Sequence, residues 1–325
     1  MKIISYKLKS SEEHLIGVLK EDLIYNLNSC FGRINSIELI QINDYKKSIK
    51  DHLEKNLCDI HKYEEIVPLP AIYKPNSLRD AYAFREHVET CRKNRNKTMI
   101  AEFDEFPVFY FSNHNEIYAD QQDVYLMPDH FEELDFELEF AIVISKKGRN
   151  ILSKDAEQYI GGFCIYNDLS ARRLQREEMK LNLGPAKGKD FANILGPYLV
   201  TPEEIYSKKI KTNFGNKYNL QMECYLNDQL ISKGNASDMN WTFEEIIERA
   251  SYGATLYPGD VIGSGTVGTG CLLEINGTQK RNNENHISKW VNPGDEIKMT
   301  IEGLGTISNK IFKANSNHSI LNVKK

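Results

Sequence analysis

Glu137 and Glu139 stand two residues apart in the run LDFELEFAIVI at residues 134–144. In a β-strand side chains alternate between faces, so both carboxylates share one face, about 7 Å apart. Phe136, Leu138 and Phe140 then point the other way, and the strand runs on into the apolar AIVI. Two carboxylates at the mouth of a buried strand are costly unless they are neutralised, and a hard cation such as Mg²⁺ or Ca²⁺ prefers such oxygen ligands. A half-solvated polar face is the other reading of this motif. Asp168 closes the apolar strand in GGFCIYND, a position from which an acid can project into a crevice. Taken alone, the position reads first as an N-cap of the helix that follows, beside a solvated Arg172. On that helix Arg172 and Gln175 are three residues apart and share a face.

Three further segments carry chemistry. RDAYAFREH at residues 79–87 holds Asp80, Tyr82 and His87, with His87 on the apolar stripe of a helix. LGPAKGKDF at residues 183–191 places Lys189 after a glycine loop that permits close backbone approach. DVIGSGTVGTGCLLEI at residues 260–275 contains a literal G-x-G-x-x-G at Gly263, Gly265 and Gly268. A dinucleotide fingerprint requires a helix after the glycines. TGCLLEI instead predicts a strand, so a loop crossing close to a ligand, with Thr266 offering a hydroxyl, fits better. Glu274 inside that apolar run needs a partner. No G-x-S-x-G occurs, so a serine nucleophile elbow has no support.

The elements that must position these residues form a mixed, mostly β pattern. Short strands are expected over 108–111, 124–127, 135–144, 162–166, 195–201, 220–226, 261–263, 272–275 and 297–301. Helices are expected over 80–96 and 240–250. Many short strands with Gly and Pro turns argue a β sandwich or roll of α+β class. Residues 1–70 read as a small N-terminal α/β domain, the proline-rich stretch 67–75 as a linker, and residues 71–325 as the reactive domain.

Composition excludes several classes. The 46 acids and 41 bases give a formal net charge of -5, which offers no field for gripping a phosphate backbone. No apolar run approaches the roughly 20 residues of a membrane span. The N-terminus lacks the apolar core of a signal peptide. Six cysteines without a C-x-x-C pair exclude common zinc-finger and redox motifs and suit a reducing cytoplasm.

Taken in order, RDAYAFREH, VFYFSN, DFELEFA, YNDLSARRLQ, LGPAKGKDF and GSGTVGTGCLLEI resemble the fumarylacetoacetate hydrolase family over residues 79–303. The resemblance implies a mixed β-roll catalytic domain, commonly a homodimer, with a small N-terminal domain. It implies a divalent cation (Mg²⁺, with Mn²⁺ or Ca²⁺ as substitutes) on Asp80, Glu137, Glu139 and Asp168. It implies a water-activating pair, His87 with Glu274, and an oxyanion set of Arg172, Gln175 and Lys189. Tyr82, Tyr110 and Thr266 match substrate-contacting positions. The implied reaction is hydrolysis of a carbon–carbon bond in a 1,3-diketo acid such as an acylpyruvate or fumarylacetoacetate. Relatives that decarboxylate, hydrate or isomerise 2-keto acids use the same site, and a non-catalytic binder of cations or metabolites is a third possibility. Met179 stands near where fumarylacetoacetases carry a tyrosine, and Asn193 where they carry a threonine, so the implied substrate is open.

Overall fold

The computed structural model describes residues 1–322. Its architecture is two packed sheets with helices at the margins, the mostly β, α+β pattern expected. The larger sheet has twelve strands. Its centre runs, neighbour to neighbour, through Lys2–Leu8, Asn193–Val200, Ile160–Asp168, Leu138–Ile144, Asp260–Gly263, Ser77–Ala81 and Phe109–Ser112. The smaller sheet has five strands, in the order Gln229–Asn235, Gln221–Leu226, Glu296–Ile301, Gly305–Lys313 and Val124–Leu126.

Period-2 alternation decides what each face of the central strands buries. Phe140, Ile142, Ile144, Phe163 and Ile165 share one core with Met222, Met299 and Ile301 of the smaller sheet and with helix Phe243–Ser251. The rings of Phe140 and Phe163 stack there at 5.1 Å, and Phe140 meets Phe243 edge-on at 5.3 Å. Ala141, Val143, Cys164, Tyr166 and Val261 belong to a second core, with Ile3, Leu39, Ile49 and Ile72 from the N-terminal part. Glu139 and Asp168 continue this second set, Glu139 two before Ala141 and Asp168 two after Tyr166. The carboxylates therefore emerge on the face away from the inter-sheet core.

The first 70 residues add strands to the same large sheet. Lys2–Leu8 pairs antiparallel with Asn193–Val200, Lys2 opposite Val200. The backbone ladder is thus continuous across the proline-rich stretch at 67–75.

Three local expectations are corrected. Residues 272–275 are the start of helix Leu272–Asn282, not a strand. Asp80 lies on strand Ser77–Ala81, and the helix begins only at Arg85, running to Lys93. Cys30 and Cys58 are joined as a disulfide, with Cα atoms 5.6 Å apart. Antiparallel pairing of Leu23–Asn26 with Ile60–Lys62 brings these cysteines together, a tertiary register that cysteine spacing does not disclose. The other four cysteines are free and buried. Among the described residues no helix is long and apolar enough to cross a membrane.

Candidate metal centre and active site

Three strands of the large sheet deliver the carboxylates. Asp168 ends Ile160–Asp168, Glu139 lies in Leu138–Ile144 with Glu137 just before it, and Asp80 lies in Ser77–Ala81. Strand Asp260–Gly263 separates the last two, pairing Gly263 with Ala141 on one side and Asp80 on the other. All four acids are buried, and one oxygen from each lies within 4.8 Å of the others. The sequence-derived ligand set is thus brought to one point.

The site carries more negative than positive charge. Lys189, buried rather than solvated, donates to Glu137 Oε2 at 2.5 Å and Asp168 Oδ2 at 2.6 Å. Arg172 Nη2 donates to Glu137 Oε1 at 2.6 Å. Burial alone would raise the Glu137 pKa, but the Lys189 and Arg172 cations overcome it and hold that carboxyl below its ordinary range. Asp80 and Glu139 have no cation of their own. Burial pushes Asp80 up to about 7, even though a hydrogen bond with Glu139 works the other way. Burial and the neighbouring Asp80 push Glu139 well above its ordinary value. Burial also raises Asp168, against the pull of Lys189. The backbone N–H of Gly265 donates to both unpaired acids, at 3.1 Å to Asp80 Oδ1 and 3.0 Å to Glu139 Oε2. Glu139 Oε1 and Asp168 Oδ1 are buried without a hydrogen-bond partner. Buried orphaned carboxylate oxygens in an all-oxygen cluster fit a hard divalent cation.

Cation binding must displace the proton that burial favours on Asp80, pushed up to about 7, because a protonated carboxyl is no ligand. Affinity is therefore expected to fall as pH drops below 7, by about tenfold per pH unit for each proton displaced. Calorimetric titration with Mg²⁺ in buffers of different ionisation enthalpy checks this. A heat independent of buffer would show that no proton leaves.

A second group lies beside the cluster. His87, on helix Arg85–Lys93, places Nδ1 2.7 Å from Glu274 Oε2, with both side chains buried. Glu274 is fixed in turn by the Thr269 N–H at 3.0 Å. The His87 charge acts on Glu137, so the dyad borders the carboxylates. Burial would lower the imidazole pKa, but its contacts with Cys91 and Cys271 raise it well above the ordinary value. Tyr110 donates to Asp168 Oδ2 at 2.5 Å, and burial beside Asp168 keeps its phenol protonated. Tyr82 stands edge-on to His87, ring centroids 6.2 Å apart. Thr266 is buried in the glycine loop. Arg172 is extensively committed: Nε to Asp135 at 2.8 Å, Nη2 to Glu137, Nη1 to Gln175 Oε1 at 3.1 Å.

The glycine loop is followed by a helix, so the strand expected at 272–275 is no ground for rejecting a dinucleotide. The loop's own contacts are. The N–H of Gly265 is spent on carboxylates, that of Val267 on Leu138 O and that of Gly270 on Val267 O, which leaves no anion cradle of the fingerprint type.

Asp135 is the residue that sequence reasoning passed over. It is fully buried, holds Arg172, and accepts from the N–H groups of Leu272 at 2.7 Å and Leu273 at 2.9 Å, at the start of the helix carrying Glu274. The signal was present, since Asp135, Glu137 and Glu139 share one strand parity. Asp135→Asn leaves a buried guanidinium undercompensated and is expected to cost about 3 kcal/mol of stability, read as a lowered denaturant midpoint. An unchanged midpoint would mean that the pair contributes nothing net.

Comparison with known proteins places this geometry. Residues 77–312 match the family described as fumarylacetoacetate (FAA) hydrolase C-terminal. The mitochondrial oxaloacetate tautomerase Fahd2a of Rattus norvegicus is 33% identical over 204 residues, 62% of this chain and 58% of that protein. The oxaloacetate tautomerase YisK of Bacillus subtilis is 28% identical over 280 residues, 83% of this chain and 80% of that protein. A crystal structure of maleylpyruvate hydrolase from Sphingobium sp. SYK-6, in complex with manganese(II) and pyruvate, superposes with a TM-score of 0.71 at 19% identity, covering 97% of this chain and all of that one. With the family match spanning more than half of its length, the chain belongs to the fumarylacetoacetate hydrolase family, whose members include hydrolases, isomerases and tautomerases.

Proposed function

We propose that the protein is a divalent-cation-dependent hydrolase that cleaves a carbon–carbon bond in a 1,3-diketo acid of the acylpyruvate or fumarylacetoacetate type. The observation that carries this reading is the buried His87–Glu274 pair at 2.7 Å beside four convergent carboxylates. A cation site alone needs no such base. Asp80, Glu137, Glu139 and Asp168 would hold the cation, Mg²⁺ or an equivalent such as Mn²⁺ or Ca²⁺, and the Mn²⁺ and pyruvate bound by maleylpyruvate hydrolase support that assignment. When bound, the cation supplies Lewis-acid polarisation of the substrate's keto oxygens.

The chain's own residues do the rest. Glu274 takes the Nδ1 side of His87 and leaves Nε2 as the atom that accepts a proton from water. The hydroxide attacks the distal carbonyl carbon, and the Lys189 ammonium and Gln175 amide offer hydrogen bonds to the developing oxyanion. Arg172 orients Glu137 and adds positive potential. As the carbon–carbon bond breaks, the acyl half leaves as a carboxylic acid. The carbon released from it takes back the proton held on His87. Tyr82, Tyr110 and Thr266 line the substrate's path.

A second reading is favoured by the two relatives named oxaloacetate tautomerases. The same imidazole could shuttle a proton between carbon and oxygen of a 2-keto diacid without attack by water. Cation-stripped protein is assayed on acetylpyruvate, fumarylacetoacetate and oxaloacetate, with and without Mg²⁺ or Mn²⁺. Cation-dependent loss of the diketo enol with a new carboxylic acid supports hydrolysis. Fast keto–enol interconversion of oxaloacetate with both diketo acids intact overturns it in favour of the tautomerase. A homodimer acting on a small keto acid completes the proposal, and sedimentation equilibrium tests the assembly.

A further inference from the structure

The imidazole of His87 has sulfur neighbours that the proposed reaction does not use. A ring nitrogen of His87, Cys271 Sγ and a Glu274 oxygen lie within 4.8 Å of one another, and all three side chains are buried. A fourth donor, Cys91 Sγ, stands one helical turn after His87, 3.8 Å from Nε2 and 3.9 Å from Nδ1. Two elements supply the set. Helix Arg85–Lys93 presents His87 and Cys91 at i and i+4, and helix Leu272–Asn282 presents Glu274, with Cys271 as its N-cap residue. Asn94 Nδ2 ties the two helices by donating to Glu274 O at 3.0 Å and to Thr278 Oγ1 at 3.1 Å.

Two sulfurs, an imidazole and a carboxylate make a donor set unlike the all-oxygen cluster next to it. Oxygen donors suit Mg²⁺, Mn²⁺ and Ca²⁺, whereas thiolate and imidazole together suit Zn²⁺. Tetrahedral zinc with bonds of about 2.0–2.1 Å to nitrogen and 2.3 Å to sulfur puts the two ligand atoms about 3.6 Å apart. The Cys91 sulfur–nitrogen separations of 3.8 and 3.9 Å are within a few tenths of an ångström of that value, and the Cys271 sulfur lies within 4.8 Å of the imidazole and the carboxylate.

We propose that His87, Cys271 and Glu274, with the Cys91 thiol beside the imidazole, form a second cation site, selective for a thiophilic divalent ion such as Zn²⁺. Filling it occupies the imidazole and so silences any chemistry in which His87 moves a proton. Binding follows from the donor geometry alone, whereas inhibition rests also on the reading of His87 as the base.

The test uses the full chain with Mg²⁺ in excess, so that the carboxylate cluster is satisfied, and titrates in Co²⁺. A thiolate-to-cobalt charge-transfer band in the near ultraviolet should grow to one equivalent per chain, and Zn²⁺ should abolish it. Cys271→Ala and Cys91→Ala, each checked for folding by circular dichroism and thermal melting, should weaken Co²⁺ and Zn²⁺ binding by at least roughly tenfold. Zn²⁺ should lower turnover at saturating Mg²⁺ in the wild type and lose that effect in Cys271→Ala. Absence of the band in the wild type overturns the site whatever the variants do, as does a band that survives both substitutions. A band without any hydrolase activity would leave the zinc site standing and sink the hydrolase reading.

Discussion

His87→Ala should lower turnover on a cleaved diketo acid by about 10²–10⁴-fold, the usual contribution of a positioned general base. Cation affinity should stay roughly unchanged, because no oxygen of the carboxylate cluster comes from His87. The direction of the pH dependence follows from the environment of the ring. Its pKa is raised above the ordinary imidazole value, against the effect of burial, so the neutral form that accepts a proton accumulates only at higher pH. The activity of the wild type should therefore rise with pH along a limb displaced above about 6.5, and that limb should vanish in the variant. Stopped-flow rates across pH, with Mg²⁺ binding measured in parallel, check both statements. A variant that loses cation binding together with turnover would place His87 in the metal site and not in proton transfer.

The second large effect is expected from a residue with no side chain. Gly263 lies in the strand between Glu139 and Asp80. A Cβ there would come to 2.7 Å from Glu139 Oε2, 2.9 Å from Asp80 Oδ1 and 2.8 Å from the ring of Tyr166. Such contacts are well inside van der Waals separation, and all three neighbours are buried. Gly263→Ala must push the two acids apart or bulge the strand. Cation affinity should fall by roughly tenfold to a hundredfold or more, on the scale found when support around a metal ligand is lost. The other glycines of the loop predict no comparable clash with two ligands at once. Isothermal titration with Mn²⁺ reads the effect, and affinity within about twofold of wild type would show that the carboxylates can re-aim freely.

Much of this site was legible because its chemistry follows strand period. Glu137 and Glu139 announce themselves by spacing, and Asp168 by closing an apolar run. The apolar periodicity puts His87 on a buried helical stripe, and there it lies. What escaped has physical reasons. The run LLEI at 272–275 is too short for periodicity to separate helix from strand. The choice is made by Asp135, some 137 residues away, whose carboxylate meets the N–H groups of Leu272 and Leu273. The sequence reads Asp80 as the start of a helix because its strand depends on parallel pairing with Asp260–Gly263, a partner far along the chain. The placement of Gly263 between two ligands is likewise a matter of strand order. The same holds for the first 70 residues, whose strands are readable while the edge they join is not.

Strand order also bears on how the protein is made. Asp80, Glu139 and Asp168 leave the ribosome early, but Asp80 and Glu139 become neighbours only when Asp260–Gly263 inserts between their strands. That strand is translated roughly ninety residues after Asp168, which at about 5–20 residues per second is a delay on the order of 5–20 seconds. Through that interval Asp80 has no strand to hold it against Glu139, although the strands of Glu139 and Asp168 pair directly. Metal selection is thereby deferred to a nearly finished polypeptide, and truncated products that end before Gly263 should neither capture the ion nor react.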